Sequence, residues 1–115
     1  MESSGADKRR FPRRPLSTPV GVLLDGKYSV YQSFDVGEKG LGISSSQSFE
    51  KGRHVIVSFF INRGQFVVCQ GITRYCQLEG EIYKVGFELS NIRFEDRRVV
   101  RDYIADTTGA LEKNF

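Results

Sequence analysis

The sequence predicts a mainly β protein, a six-stranded antiparallel β-barrel followed by a single C-terminal α-helix. Three observations lead there. Apolar residues alternate with polar ones in short runs from Pro19 to Leu89, turn signals separate those runs at short intervals, and the period lengthens after Leu89. The chain has 115 residues, of which 39% are apolar, enough for one modest core. Short antiparallel strands in a chain of this size favour closure, because a barrel leaves no sheet edge open.

Val20, Val22 and Leu24 point one way on the first strand, and Asp25-Gly26 supplies a turn. "KYSVYQSF", residues 27–34, is rich in aromatic and polar strand formers. "DVGEKG", residues 35–40, reads as a loop with two glycines, and "LGIS" as a short strand. After the polar loop "SSQSFEKG", the run "RHVIVSFFI" sets Val55, Val57, Phe59 and Ile61 on one face. "NRG" is a hairpin turn, "QFVVCQGITRY" the next strand, "CQLEGE" a further turn, and "IYKVGFEL" the last strand. Then Asn91 offers an N-cap and Glu95 and Asp96 suit the positive end of a helix. Val99, Val100, Tyr103 and Ile104 form its apolar stripe, and Thr107, Thr108 and Gly109 are expected to end it.

Composition narrows the function. No apolar run approaches the roughly 18 residues of a membrane span. The start "MESSGADKRR" has no apolar stretch of the secretory kind, so a cytoplasmic protein is expected. Cys69 and Cys76 fit that compartment as free thiols; seven apart on one regular strand, they would face opposite ways. His54 is the only histidine, which gives no support to a zinc cluster or a Ser/His/Asp triad, and no nucleophile–base pair or carboxylate dyad stands out, so no enzyme is predicted.

The charge is unevenly placed. Residues 1–15 carry Lys8, Arg9, Arg10, Arg13 and Arg14 against Glu2 and Asp7, which accounts for the whole net charge of +3; the rest of the chain is balanced. A protein coating nucleic acid spreads its basic residues over a folded face, and here they sit on one arm. Pro12 and Pro15 exclude a regular helix there, so the arginines lie on an extended segment with Phe11 as an apolar anchor. By composition alone the same arm also reads as a solvated tail, Asp35 as an ordinary turn aspartate, and Gly37 and Gly40 as turn glycines. The arm leads into the first strand, and an antiparallel arrangement would fold the "DVGEKG" turn back beside it.

"KRRFPR" followed by "DVGEKGLGI" resembles the two-part signature of the PilZ domain, a bacterial receptor for cyclic di-guanylate (cyclic di-GMP). That family's pattern is Arg-x-x-x-Arg, then Asp or Asn-x-Ser-x-x-Gly. "YKVGFEL" is similar to the family's final strand, with Gly86 and Phe87 in place, and a helix follows it. The resemblance runs from about Lys8 to Asp106. It implies a PilZ-like split barrel, with a flexible basic arm over residues 1–15, barrel and helix over 16–106, and a tail over 107–115.

The resemblance also implies a ligand site, with cyclic di-GMP as ligand and no cofactor or metal. Arg9 and Arg13 take the two arginine positions, with Arg10 or Lys8 assisting. Arginine suits both parts of such a ligand, pairing through its planar fork with phosphate oxygens or with the O6/N7 edge of guanine. Asp35 accepts from guanine N1–H and the exocyclic amine, and Gly40 lets the backbone turn closely around the base. Gly37 stands where the family has serine. The missing hydroxyl costs about 0.5–1.5 kcal/mol, which weakens binding without abolishing it. Lys39 reads as a solvated turn residue, and Arg74, at a strand end, is a remote candidate for the same pocket.

The expected function is a receptor whose arm becomes ordered on cyclic di-GMP and whose new surface is read by a protein partner. Two alternatives remain at this point: a degenerate PilZ-like interaction domain without the ligand, and a small barrel binding single-stranded nucleic acid through the arm and exposed aromatics such as Tyr28 and Tyr31.

Overall fold

The structure, a computed structural model, describes residues 12–113 apart from residue 63, with side chains placed through residue 105. Among the described residues, seven strands and one helix follow in order: β1 Arg13–Pro15, β2 Pro19–Leu24, β3 Lys27–Gly37, β4 Gly40–Ser45, β5 His54–Ile61, β6 Gln65–Glu79, β7 Ile82–Ser90 and α1 Phe94–Lys113. All strand pairings are antiparallel, in the order β1-β3-β2-β5-β6-β7-β4, and a further β3–β4 pairing closes the last six into a barrel. The predicted six-stranded barrel with a C-terminal helix is present, and β1 is an addition to it.

Two long strands turn the corners. Residues 27–32 of β3 pair with β2, and residues 32–37 pair with β4 across a register shift between Ser33 and Asp35. In β6 the shift falls between Thr73 and Tyr75, where its pairing passes from β5 to β7. One extra residue bends a strand and re-aims its side chains, which is how strands cross from one sheet to another. The barrel is therefore two four-stranded layers, β3-β2-β5-β6 and β3-β4-β7-β6, that share the two bent strands.

The alternation sets the core. Val20 and Val22 on β2, and Val55, Val57, Phe59 and Ile61 on β5, are buried as predicted. Leu41, Ile43, Val67, Val85 and Phe87 join them from the neighbouring strands, and Val100 of α1 enters the same cluster fully buried. Burying a side chain of this kind is worth about 1.5–3 kcal/mol. Asp25 and Gly26 both take positive φ, as the two-residue turn between β2 and β3 requires.

Several elements depart from the sequence reading. The "DVGEKG" loop shrinks to a two-residue turn at Glu38 and Lys39, because Asp35 to Gly37 continue β3 and Gly40 begins β4. The "CQLEGE" turn shrinks likewise, as β6 runs to Glu79. Asn91 does not cap the helix. It sits at φ 51° between β7 and α1, a left-handed position that asparagine tolerates, and its amide donates to Gln70 Oε1 at 2.7 Å. Helix α1 continues through Gly109 to Lys113. One glycine costs a helix about 1 kcal/mol, and the Ala110-Leu111-Glu112-Lys113 run beyond it consists of strong helix formers. Cys69 and Cys76 both face the core, because the corner in β6 inserts Arg74 between them and cancels the odd spacing. Tyr31 packs edge-on against Phe49, with ring centroids 5.4 Å apart, whereas Tyr28 is exposed as expected.

Candidate functional site

The edge strand β1 carries the last residues of the arm, Arg13–Pro15. Its register sets Arg13 opposite Gly37, Arg14 opposite Val36 and Pro15 opposite Asp35, so the arm does lie antiparallel beside the predicted turn motif. Residues 16–18 hold it there. Leu16 N–H donates to Phe34 O at 3.2 Å and Ser33 N–H to Thr18 O at 3.0 Å. The buried Ser33 hydroxyl donates to Leu16 O at 2.6 Å and accepts from Thr18 N–H at 3.0 Å.

Arg13 reaches across the strand to Asp35. Its Nη2 donates to Asp35 Oδ1 at 2.6 Å and its Nε to Oδ2 at 3.2 Å, a two-pronged, charge-assisted pair. The side chains are 22% and 15% exposed, so water screens this pair far less than a surface one. Gly37 and Gly40 create the space. A Cβ on Gly37 would stand 2.9 Å from Arg13 Cδ and 3.1 Å from Pro12 O, and one on Gly40 would collide with Arg13 Nη1. The arginine thus lies flat across the bare backbone of the β3–β4 hairpin.

The structure brings together four of the six predicted site residues: Arg13, Asp35, Gly37 and Gly40. Arg9 and Arg10 lie outside the described residues. Arg74 points elsewhere, its Nε donating to Glu88 Oε1 at 2.6 Å.

Next to this cluster is a surface that the sequence did not disclose. The two corners each place a pair of consecutive residues outward, Phe34 with Asp35 and Arg74 with Tyr75. Across the layer, Asp35 pairs with Gly42, Gly42 with Gly86, and Gly86 with Tyr75, which makes one row with two glycines at its centre. The rings of Phe34 and Tyr75 fold inward over those glycines. A Cβ on Gly42 would collide with the Phe34 ring and lie 2.6 Å from Asp35 Oδ1, and one on Gly86 would collide with the Tyr75 ring. Phe34, Tyr75, Gln77, Glu79 and Lys84 line a surface hollow of about 360 Å³. Lys84 Nζ stands 4.4 Å above the Phe34 ring, a cation–π contact. Glycines at alternate outward positions of adjacent strands were the available signal for this floor, but the strand register that aligns them was not.

Helix α1 touches both halves of the cluster. Arg14 donates through Nη1 to Tyr103 O at 2.7 Å, and the Tyr103 hydroxyl donates to Pro15 O at 3.0 Å. Arg101 pairs with Glu38 in the β3–β4 turn. Among the described residues there is no group of three His, Cys, Asp or Glu side chains that could hold a metal, and no helix long and apolar enough to cross a membrane.

A closed six-stranded antiparallel barrel, with an arginine-bearing edge strand docked on an aspartate–glycine hairpin, places the chain in the class of small β-barrel domains. The profile of the PilZ domain matches residues 7–106, and the chain belongs to that family. Among solved structures it is similar to the inhibitor of motility MotI/DgrA of Bacillus subtilis, at 15% identity and TM-score 0.80, covering 88% of this chain and 51% of that one. It is similar also to the PilZ domain of YcgR from Escherichia coli with cyclic di-GMP, at 13% identity and TM-score 0.73, covering 93% and 97%. The Borreliella burgdorferi PlzA protein in complex with cyclic di-GMP follows at 16% identity and TM-score 0.65, covering 89% and 43%. The chain thus spans about half the length of MotI/DgrA. No curated protein sequence matches it.

Proposed function

We propose that this chain is a cytoplasmic cyclic di-GMP receptor that binds with Arg9, Arg10, Arg13, Asp35 and the Gly37–Gly40 hairpin. The observation that carries the reading is the Arg13–Asp35 pair, which sets a guanidinium fork and a carboxylate side by side at the edge of an open layer. A guanine needs both kinds of group, a donor fork for O6/N7 and an acceptor for N1–H and the amine. Phosphates need further cations, which Arg9 and Arg10 on the arm and Lys84 beside the hollow can supply. The Phe34 and Tyr75 rings on their glycine floor offer a face for a base to lie against.

In this reading residues 1–15 are the binding arm and 16–106 the scaffold, with α1 running on into the expected tail, 107–115, as far as Lys113. With Arg13 and Arg14 already held in β1, the ligand's two phosphates draw Arg9 and Arg10 to the side of Arg13, so that binding orders the part of the arm that precedes β1. The contacts of Arg14 with Tyr103 and of Arg101 with Glu38 give that ordering a route to α1, where a protein partner can read it. Titration calorimetry with cyclic di-GMP tests the reading on wild type, Arg13→Ala and Asp35→Ala. Binding lost in both variants supports it, and undetectable binding by wild type at about tens of micromolar, roughly −6 kcal/mol, overturns it.

One observation favours the second reading, a PilZ fold that has lost its ligand. With Gly37 in place of serine, Arg13 settles on Asp35 and the two satisfy each other. The same titration separates the two readings.

A further inference from the structure

The open layer that holds Asp35 carries a second group of polar side chains, near the end of the β6–β7 hairpin. Gln77 and Glu79 leave β6 on one face, about 6.8 Å apart along the strand. Lys84 on β7 lies directly across from Gln77. With the rings of Phe34 and Tyr75, these three line the hollow of about 360 Å³, within the range of ligand sites, roughly 300–1,000 Å³. Among the described residues, the neighbouring Arg74 and Glu88 hold each other, whereas Gln77 and Glu79 are exposed and enter no such pair.

The set is chemically specific. Aromatic rings offer a face to a flat heterocycle, and unpaired bases are held against such rings. Beside the rings stand a side-chain amide, which can donate, and a carboxylate, which only accepts. Of the common bases, guanine alone sets two donors side by side, N1–H and the exocyclic amine, with the O6 acceptor next to them. Adenine presents its exocyclic amine beside an N1 lone pair, which a carboxylate repels.

We propose that Gln77 and Glu79 are the seat of a second guanine and determine the base preference of that half of the ligand. The inference rests on the receptor reading, in which Arg13 and Asp35 take the first guanine. The Gln77 amide donates to O6, and the Glu79 carboxylate accepts from N1–H and the exocyclic amine. Lys84, between the two seats, keeps its role towards phosphate.

The register lets one ligand reach both seats. Asp35, Gly42, Gly86 and Tyr75 form one row, and that row ends on a ring that lines the hollow. Lys84 is two strands from Asp35 and two residues along β7 from the row, about 12 Å away in all. A cyclic dinucleotide with its bases splayed to opposite sides spans such a distance. Neither Gln77 nor Glu79 belongs to the two-part signature, so base preference is set on β6 as well as on the arm and hairpin.

Titration calorimetry of the full chain with cyclic di-GMP and with cyclic GMP-AMP, which keeps a single guanine, tests the assignment. Wild type is expected to prefer cyclic di-GMP by about tenfold or more, because a site built to hydrogen-bond a group rejects the analogue lacking it. Glu79→Ala is expected to bind cyclic di-GMP about tenfold more weakly and to narrow the preference to about twofold, with an unchanged circular dichroism spectrum. Asp35→Ala is expected to lose both ligands. If Glu79→Ala fails to fold, Glu79→Gln decides, since it keeps the length of the side chain and removes its charge. A wild type that binds cyclic di-GMP, with a Glu79→Ala chain that keeps affinity and preference, overturns this inference and leaves the receptor reading standing. Equal weakening of both ligands by Glu79→Ala overturns it too, because the carboxylate then does not distinguish the bases. A wild type that binds neither ligand overturns the receptor reading, and this inference with it.

Discussion

Arg14 sits 3.6 Å above the Tyr103 ring while its Nη1 donates to the Tyr103 carbonyl at 2.7 Å, across 89 residues of sequence. This double contact fastens the edge strand to the helix, and the Tyr103 hydroxyl returns a bond to Pro15 O. A partly desolvated cation–π contact and one charged hydrogen bond are together worth about 2–4 kcal/mol at most, less the entropy of holding the side chain. Arg14→Ala is expected to lower global stability by about 1–2 kcal/mol, with faster amide exchange confined to β1 and its partners on β3. Unchanged exchange in β1, read by mass spectrometry, would count against the fastening.

Replacing Gly37 by serine restores the family's hydroxyl but adds a Cβ 2.9 Å from Arg13 Cδ and 3.1 Å from Pro12 O. The side chain yields more readily than the backbone, so Arg13 is expected to leave Asp35 while β1 stays paired. Loss of a half-buried ion pair then lowers stability by about 1 kcal/mol. If the proposed function holds, affinity for cyclic di-GMP rises in the same variant, by about two- to tenfold for one hydrogen bond. Urea melts and calorimetry measure the two effects separately.

Gly86 carries the Tyr75 ring directly on its backbone. Gly86→Ala is expected to tilt that ring away and to destabilise the barrel by about 1–3 kcal/mol, the usual cost of overpacking. Gly86→Ala combined with Tyr75→Ala removes the clash, so the double variant should be more stable than additivity predicts. A double-mutant cycle in urea decides.

Burial pushes the Cys69 thiol up from 9.0 to about 12, with the Asp96 carboxylate adding to the shift. The folded state therefore holds the proton more tightly than the unfolded state. Stability from this group is complete below pH 9 and declines between pH 9 and pH 12, at up to about 1.4 kcal/mol per pH unit. Native protein at pH 8 should alkylate at Cys69 only as fast as it opens, and Cys69→Ala should flatten the alkaline limb of the stability curve. A melt series from pH 7 to about pH 11 compares the two chains.

Thr73 is fully buried, and its hydroxyl has no hydrogen-bond partner. Exchanging it for a methyl of the same shape removes that desolvation penalty, so Thr73→Val is expected to stabilise the fold by about 1 kcal/mol. A lower urea midpoint would show that the hydroxyl is satisfied after all.

Much of this protein is local and was therefore legible. Alternation along Val20–Val22 and Val55–Ile61 determines which side faces inward, because a strand has a period of two wherever it stays regular. Asp25-Gly26 marks its own turn, and the arginine arm with Asp35, Gly37 and Gly40 carries a family pattern in its order and spacing. Tertiary structure decided the rest. The corners at Phe34 and Arg74 depend on which strand lies opposite, and no single run of residues encodes that. They set Cys69 and Cys76 on the same side and turned Phe34 and Tyr75 over the glycine floor. Arg14 found Tyr103, and Arg101 found Glu38, across separations at which only closure of the barrel brings chain segments together. Short-range physics chose the strands, and the geometry of closing them chose the site.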